Sequence, residues 1–277
     1  MRNFNLAFML LITTYTTSLF GSHEALRVKN NTSAASNHSN SSVVIVSCSG
    51  KSGSTTLEAS FKATGIETHR CHAIRNEMMA FILAKEQTGN VILIDSIRDI
   101  ISRKIASFFQ NLTVHLNLQA SEILAQYKAH PKQLMRTLQS TFKQKIFTME
   151  TSNTFKSWQQ FNYNCLTDGV FDFKKKYQLK QIGNLYFVNL RFDDIKHWGK
   201  IIRSIDLPIN LSSFKIVEAN RSSNKWYANI YHDFLANFTL TQQEFDTILS
   251  SFSEELAHFY TAEEIDAFFA KWAPHIR

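Results

Sequence analysis

The sequence predicts an α/β fold of three layers, in which a mostly parallel central sheet carries helices on both faces. Three observations predict it. Val43-Val44-Ile45-Val46 and Val91-Ile92-Leu93-Ile94 are unbroken apolar runs, as in parallel strands covered on both faces, where a half-exposed strand would alternate. The first run leads into a Gly/Ser/Lys loop and then into residues that space Leu57 and Phe61 one helical turn apart, the opening of a βαβ unit. Gly 8 and Pro 3 are too few for a turn-rich β-sandwich, and 44% hydrophobic content excludes a disordered chain.

Taken in order, the chain opens on Arg2 and the apolar run Leu6 to Ile12, continued to Leu19 and Phe20 before the polar Gly21-Ser22-His23-Glu24. That layout predicts a secretory signal over residues 1–21, or else an uncleaved N-terminal membrane anchor, and places the protein in the secretory pathway or beyond. Residues 22–42 are rich in Asn and Ser, bury nothing, and read as a flexible stem. Glycosylation sequons begin there at Asn30, Asn31, Asn37 and Asn40 and recur at Asn111, Asn210, Asn220 and Asn237. Residues 43–277 form the predicted domain.

The loop after the first strand is Ser47-Cys48-Ser49-Gly50-Lys51-Ser52-Gly53-Ser54-Thr55-Thr56-Leu57. A strand, such a loop and a helix aim backbone N–H groups and a helix N-terminus at a phosphate or sulfate. Lys51 adds a positive charge, Gly53 the turn, and Ser52, Ser54, Thr55 and Thr56 hydroxyl donors. An ordinary Ser/Gly turn capping a helix is the competing reading. A P-loop kinase is another: Gly50-Lys51-Ser52 supplies the end of G-x-x-x-x-G-K-[ST], and Asp95 ends an apolar strand as a metal-binding Asp would, but Ile45 stands where the first glycine belongs.

Lys51-Ser52-Gly53-Ser54-Thr55 resembles the 5′-phosphosulfate loop of sulfotransferases that use 3′-phosphoadenylyl sulfate, with Ser54 where Thr is commoner. Arg98-Asp99, after the strand Val91 to Ile94, resembles the start of that family's R-D-P-x-x-R-x-x-S-x-x-F segment, and Arg103 and Phe109 fall in matching places. Ile100 replaces the usual Pro and Ala106 the usual Ser, so the hydroxyl contact passes to Ser107 or Ser102 or is absent. Asn224-Lys225-Trp226-Tyr227 resembles the Asn-Lys-Trp-Tyr-Ser signature of sulfotransferase-like capsular polysaccharide synthesis proteins, with Ala228 in place of the final Ser. Leu185 to Ile195 and Phe259 to Ile265 with Trp272 resemble further elements of that group. The likeness runs from Val43 to about Trp272 and is least from about Asn117 to Gly183.

The resemblance implies a fold of the P-loop sulfotransferase type with inserted helices. It implies transfer of a sulfuryl group from 3′-phosphoadenylyl sulfate, the cosubstrate, to a hydroxyl or amino group of a carbohydrate acceptor, without a metal. Lys51 would be catalytic and would hold the 5′-phosphosulfate with Ser52, Gly53, Ser54, Thr55 and Thr56. Arg98, Ser107, Arg221 and Lys225 would hold the 3′-phosphate. A helix opening at Asn220 is expected to carry Trp226, Ile230 and Phe234 as core residues.

A base for the acceptor hydroxyl belongs at a strand end near the loop, and Thr68-His69-Arg70-Cys71-His72 offers His72 or His69, each also readable as structural. Cys48, Cys71 and Cys165 lack CxxC or Cys/His ligand spacing, so buried thiols and no metal site are expected. Lys174-Lys175-Lys176 reads as a solvated face or a contact for an acidic acceptor. Asn117 to Phe161 is helical in character and reads as an insertion that shapes the acceptor cleft. Lys+Arg 30 against Asp+Glu 23 gives +7, too diffuse for nucleic acid and suited to anionic small molecules or polymers. A non-enzymatic binder of an anionic glycan or nucleotide on the same fold is the alternative, favoured by Ile100 and Ala106.

Overall fold

The computed structural model describes residues 42–48, 50–147, 154–219 and 224–277. The expected signal or anchor, nearly all of the stem, Ser49, and Asn220 to Ser223 with Arg221 lie outside the described residues. Strands β1 (Val43–Ser47), β2 (Glu67–Cys71), β3 (Val91–Ile97), β4 (Tyr177–Ile182) and β5 (Leu185–Arg191) form a five-stranded sheet in the order β2-β1-β3-β5-β4. Only the β4–β5 pair is antiparallel. The unbroken apolar runs are the central strands: β1 and β3 are buried along their whole length.

Helices α1 (Ser54–Lys62) and α2 (Asn76–Glu86) carry the two crossovers. On α1's face of the sheet, Leu57 and Phe61 pack with Val44, Val46, Ile92 and Ile94, and with Trp198 and Ile202 from α7 (Trp198–Ser204). On the other face, Phe187 of β5 packs at a tilt against Trp158 and Tyr163, at 5.3 and 4.8 Å between ring centres. α3 (Ile100–Gln110) follows β3, capped by the Asp99 carboxylate, which accepts from the N–H groups of Ile101 and Ser102. That cap is tied to the far end of the chain, because Lys271 and Trp272 donate to Asp99 Oδ2 at 2.7 and 3.1 Å. The helical insertion is α4 (Leu112–Leu116), α5 (Ala120–Ala129) and α6 (Pro131–Ile146), then a 3₁₀ turn at Thr154–Phe161. Its expected apolar face is buried at Ile123, Leu134, Leu138 and Phe142.

The C-terminal third is α8 (Ala228–Asn237), α9 (Gln242–Ser250), α10 (Ser253–Phe259) and α11 (Ala262–Trp272). Of the helix expected to open at Asn220, the described residues show α8 from Ala228 onward, with Trp226 and Tyr227 in a turn before it. β4, absent from the sequence reading, forms a hairpin with β5 through Gly183, whose φ of 58° suits glycine.

β1 and β3 are neighbours from which the chain leaves in opposite directions across the sheet, β1 to β2 on one side and β3 toward β5 on the other. A crevice at that switch point is where open α/β sheets hold ligands. Lys51 and Arg98 stand there.

Candidate anion-binding site

The loop is fixed from below by the end of β3. Ser96 donates its hydroxyl to the Ser52 carbonyl, and Arg98 Nη1 donates to the Lys51 carbonyl at 2.8 Å. C=O and N–H point in opposite directions across a trans peptide. Drawing these two carbonyls down to β3 therefore turns the N–H groups of Ser52 and Gly53 away from it. Lys51 holds φ 71° and Gly53 φ 92°, both left-handed, and Gly53 leads directly into the right-handed first turn of α1. Such a change of hand gathers successive N–H groups into a concavity for an anion. Glycine at 53 is required twice, by its φ and by Trp198, whose ring would stand 2.6 Å from any added Cβ.

Charge converges on the same place. Desolvation, followed by the cations Lys225 and Arg98, lowers the Lys51 pKa to about 8. Arg98 stacks on the Phe192 ring at 4.4 Å and is electrostatically coupled to Tyr231 of α8. Like charges held together repel, and a bound anion relieves that repulsion. The sign follows for pH: Lys51 is protonated below about 8 and loses its charge above it, well before an unperturbed lysine. Affinity for a phosphate dianion is thus expected to fall as pH rises through about 8, as calorimetric titrations across that range will show. An affinity unchanged until above pH 10 would place Lys51 away from the ligand.

The other expected site residues divide. Ser54 is buried at the first turn of α1. Thr55 accepts from Arg70 Nη1 at 2.6 Å and keeps its own proton to donate. Thr56 differs, since its proton goes to the Ala219 carbonyl at 3.3 Å. That contact lays residues 211–219 over α1, where Val217 N–H also donates to Ser60 at 2.8 Å. His72 Nδ1 meets the Cys48 carbonyl at 3.1 Å, just past the end of β1. A carbonyl only accepts, so Nδ1 carries the proton and Nε2 the basic lone pair of the neutral ring. His69 instead meets Glu67 at 3.0 Å and packs against Phe81.

Ser107 lies about 200° around α3 from Phe109, the residue that faces Tyr231. Its hydroxyl is therefore carried to the side of α3 away from Tyr231, and Ala106 is not replaced by it. Ser102 is engaged by Asp99 and Lys271 at 2.9 and 3.0 Å. Arg103 is buried among the charges of Asp95 and Glu255, which makes it part of the core. Asp95 is itself fully buried and alternates with Ser96 along β3, so it faces away from the side that pins the Lys51 loop. Of the lysine run, Lys176 pairs with Asp194 at 2.6 Å, while Lys174 and Lys175 are exposed. Burial raises the pKa of all the cysteine thiols, Cys48, Cys71 and Cys165, which keeps them protonated.

One expectation is overturned in the signature segment. Trp226 is 39% exposed, whereas Tyr227 is 7% exposed and packs on Phe109. The chain has not entered the helix at Trp226, so helical spacing does not carry its ring inward with Ile230 and Phe234. Trp226→Ala is expected to cost less than about 1 kcal/mol, against about 3–5 for Phe234→Ala. Urea denaturation of both variants tests this, and equal losses would return Trp226 to the core.

Tyr231, Phe192 and Trp198 are the site-building residues that the sequence reading missed. Tyr231 shares helical spacing with Tyr227 and Phe234, a pattern that reads as packing. A separate groove of about 850 Å³ lies between α6 and α8, with Lys132 and Arg136 on one side and Asp233 on the other. No family model matches the chain, and neither the curated proteins nor the solved structures compared with it give a match.

Proposed function

We propose that the domain is of the P-loop sulfotransferase type. In this reading it transfers a sulfuryl group from 3′-phosphoadenylyl sulfate to a hydroxyl or amino group of a carbohydrate, in or beyond the secretory pathway. The observation that carries the reading is the pinned loop, in which adjacent carbonyls of Lys51 and Ser52 are drawn to β3 while Lys51, Arg98 and Lys225 crowd the same space. That arrangement suits an anion held by backbone N–H groups and fixed cations.

In the reaction, an acceptor oxygen or nitrogen attacks sulfur in line, a new bond to sulfur forms, and the bond from sulfur to the bridging oxygen breaks. Adenosine 3′,5′-bisphosphate leaves. Lys51 and the N–H groups of Ser52 and Gly53 stabilise the charge that grows on the bridging oxygen, with Ser54 and Thr55 completing the cradle. His72 Nε2 takes the acceptor proton. Lys225 and Arg98 attract the 3′-phosphate, a role the resemblance also gives to Arg221.

The test is release of adenosine 3′,5′-bisphosphate from 3′-phosphoadenylyl sulfate in the presence of oligosaccharides bearing free hydroxyl or amino groups. Acceptor-dependent release supports transfer. Tight binding of the nucleotide without release would favour the non-enzymatic binder, a reading consistent with Ala106 and with a Ser107 that does not replace its hydroxyl.

A further inference from the structure

We infer that Asn210 is the acceptor for an N-linked glycan on the domain, and that Asn111 and Asn237, which carry the same type of sequon, are not. The inference rests on the secretory reading of the N-terminal segment. Such a glycan is bulky and polar and needs a surface loop to stand on. Asn210 lies exposed in the irregular stretch after α7, where Leu211 and Phe214 turn into the core beneath α1 and leave Asn210 and Ser212 outside. Its side chain is already set for the reaction. The Ser212 N–H and the Ser212 hydroxyl donate to Asn210 Oδ1 at 3.0 and 2.7 Å. A backbone N–H only donates, so the atom it meets is the oxygen, and Nδ2 has no partner among the described residues.

Asn111 stands between α3 and α4, and Asn237 closes α8. In each, Nδ2, the atom to be modified, is instead donated to the carbonyl one helical turn back, that of Ser107 at 3.2 Å and that of Asp233 at 2.8 Å. At Asn210, two hydrogen bonds onto the carboxamide oxygen draw electron density from the nitrogen and acidify its protons. Nδ2 then attacks the anomeric carbon of an oligosaccharide carried on a polyprenyl diphosphate. The bond from that carbon to nitrogen forms, its bond to the diphosphate oxygen breaks, the lipid diphosphate leaves with the electron pair, and the amide proton passes to a base of the transferring enzyme. The position also spares the anion site. Ser42 Oγ donates to the Pro208 carbonyl at 3.0 Å, so the segment that carries Asn210 meets the chain where the expected stem enters β1. The Lys51 loop leaves the other end of that strand of 5 residues, about 15 Å away.

The experiment expresses the full chain in a glycosylating eukaryotic cell, once with its own N-terminal segment and once behind a secretory signal of the host. Peptide N-glycosidase in heavy-oxygen water leaves each formerly glycosylated Asn as a labelled Asp, read by peptide mass spectrometry. Asn210 is expected to be labelled, and Asn111 and Asn237 to be unlabelled. Ser212→Ala should abolish the label at Asn210 and speed the chain on a gel by one glycan, whereas Ser212→Thr, which keeps the hydroxyl, should retain both. Asn210 unlabelled in the chain behind the host signal, Asn111 or Asn237 labelled as fully as Asn210, or a label that survives Ser212→Ala overturns the inference. A chain labelled behind the host signal but nowhere with its own segment would remove the secretory reading and leave Asn210 the acceptor that the geometry selects.

Discussion

Lys51→Ala is expected to lower sulfuryl transfer by about 10²–10³, the usual cost of losing one preorganised donor to a developing negative charge. The fold should survive. Lys51 sits in a left-handed conformation beside Lys225 and Arg98, and its lowered pKa means that its charge is uncomfortable in the folded, empty protein. A lysine whose folded pKa is depressed weakens the fold fully below about 8, and the penalty fades only as pH rises from there to the ordinary lysine value of 10.5. The alanine variant should therefore melt no lower than wild type without ligand, and should lose most of the stabilisation that bisphosphate confers on wild type by mass action. A melting series with and without bisphosphate, beside the transfer assay, separates the two effects. Wild-type turnover in a folded Lys51→Ala protein would remove Lys51 from the chemistry.

Trp198→Ala is expected to give the largest loss of stability, about 3–5 kcal/mol, as for a large buried ring. Trp198 is fully buried in the core cluster beneath α1, and its indole N–H donates to the Arg191 carbonyl at 2.9 Å, an acceptor that the variant leaves without that donor. The same ring closes over Gly53. The variant should thus also loosen the loop, a coupling between core and site that Phe61→Ala, cut from the same core but away from Gly53, should show less. Urea denaturation of both variants gives the stability losses, and hydrogen exchange in the loop gives the coupling. A loss below about 1 kcal/mol for Trp198→Ala would contradict its place in the core.

The parts of the fold legible in the sequence were those whose pattern is local. Val43 to Val46 and Val91 to Ile94 are continuous runs that only buried strands explain, and the loop after β1 declares itself through Gly50, Lys51 and Gly53. The edge strand β4 was not legible, because it alternates weakly and is only half-covered, although Gly183-Asn184 between it and Leu185 is a turn signal. What else was not legible depends on residues far apart in sequence. Arg98 reads as a ligand-binding cation, yet one of its donors serves the Lys51 carbonyl, and a hydrogen bond across that separation has no sequence pattern. Thr56 fails as a donor for the same kind of reason, its partner being Ala219. Trp226 misleads because helical spacing was applied to residues that precede the helix.

The most direct measurement is calorimetric titration of the full chain with adenosine 3′,5′-bisphosphate and, separately, with ATP and Mg²⁺, each repeated on Lys51→Ala. Binding of bisphosphate to wild type, accompanied by proton uptake above pH about 8 as Lys51 is recharged, and its loss in the variant, is the predicted result. Binding of ATP with Mg²⁺ in preference to bisphosphate, or bisphosphate binding that is indifferent to Lys51, would contradict it.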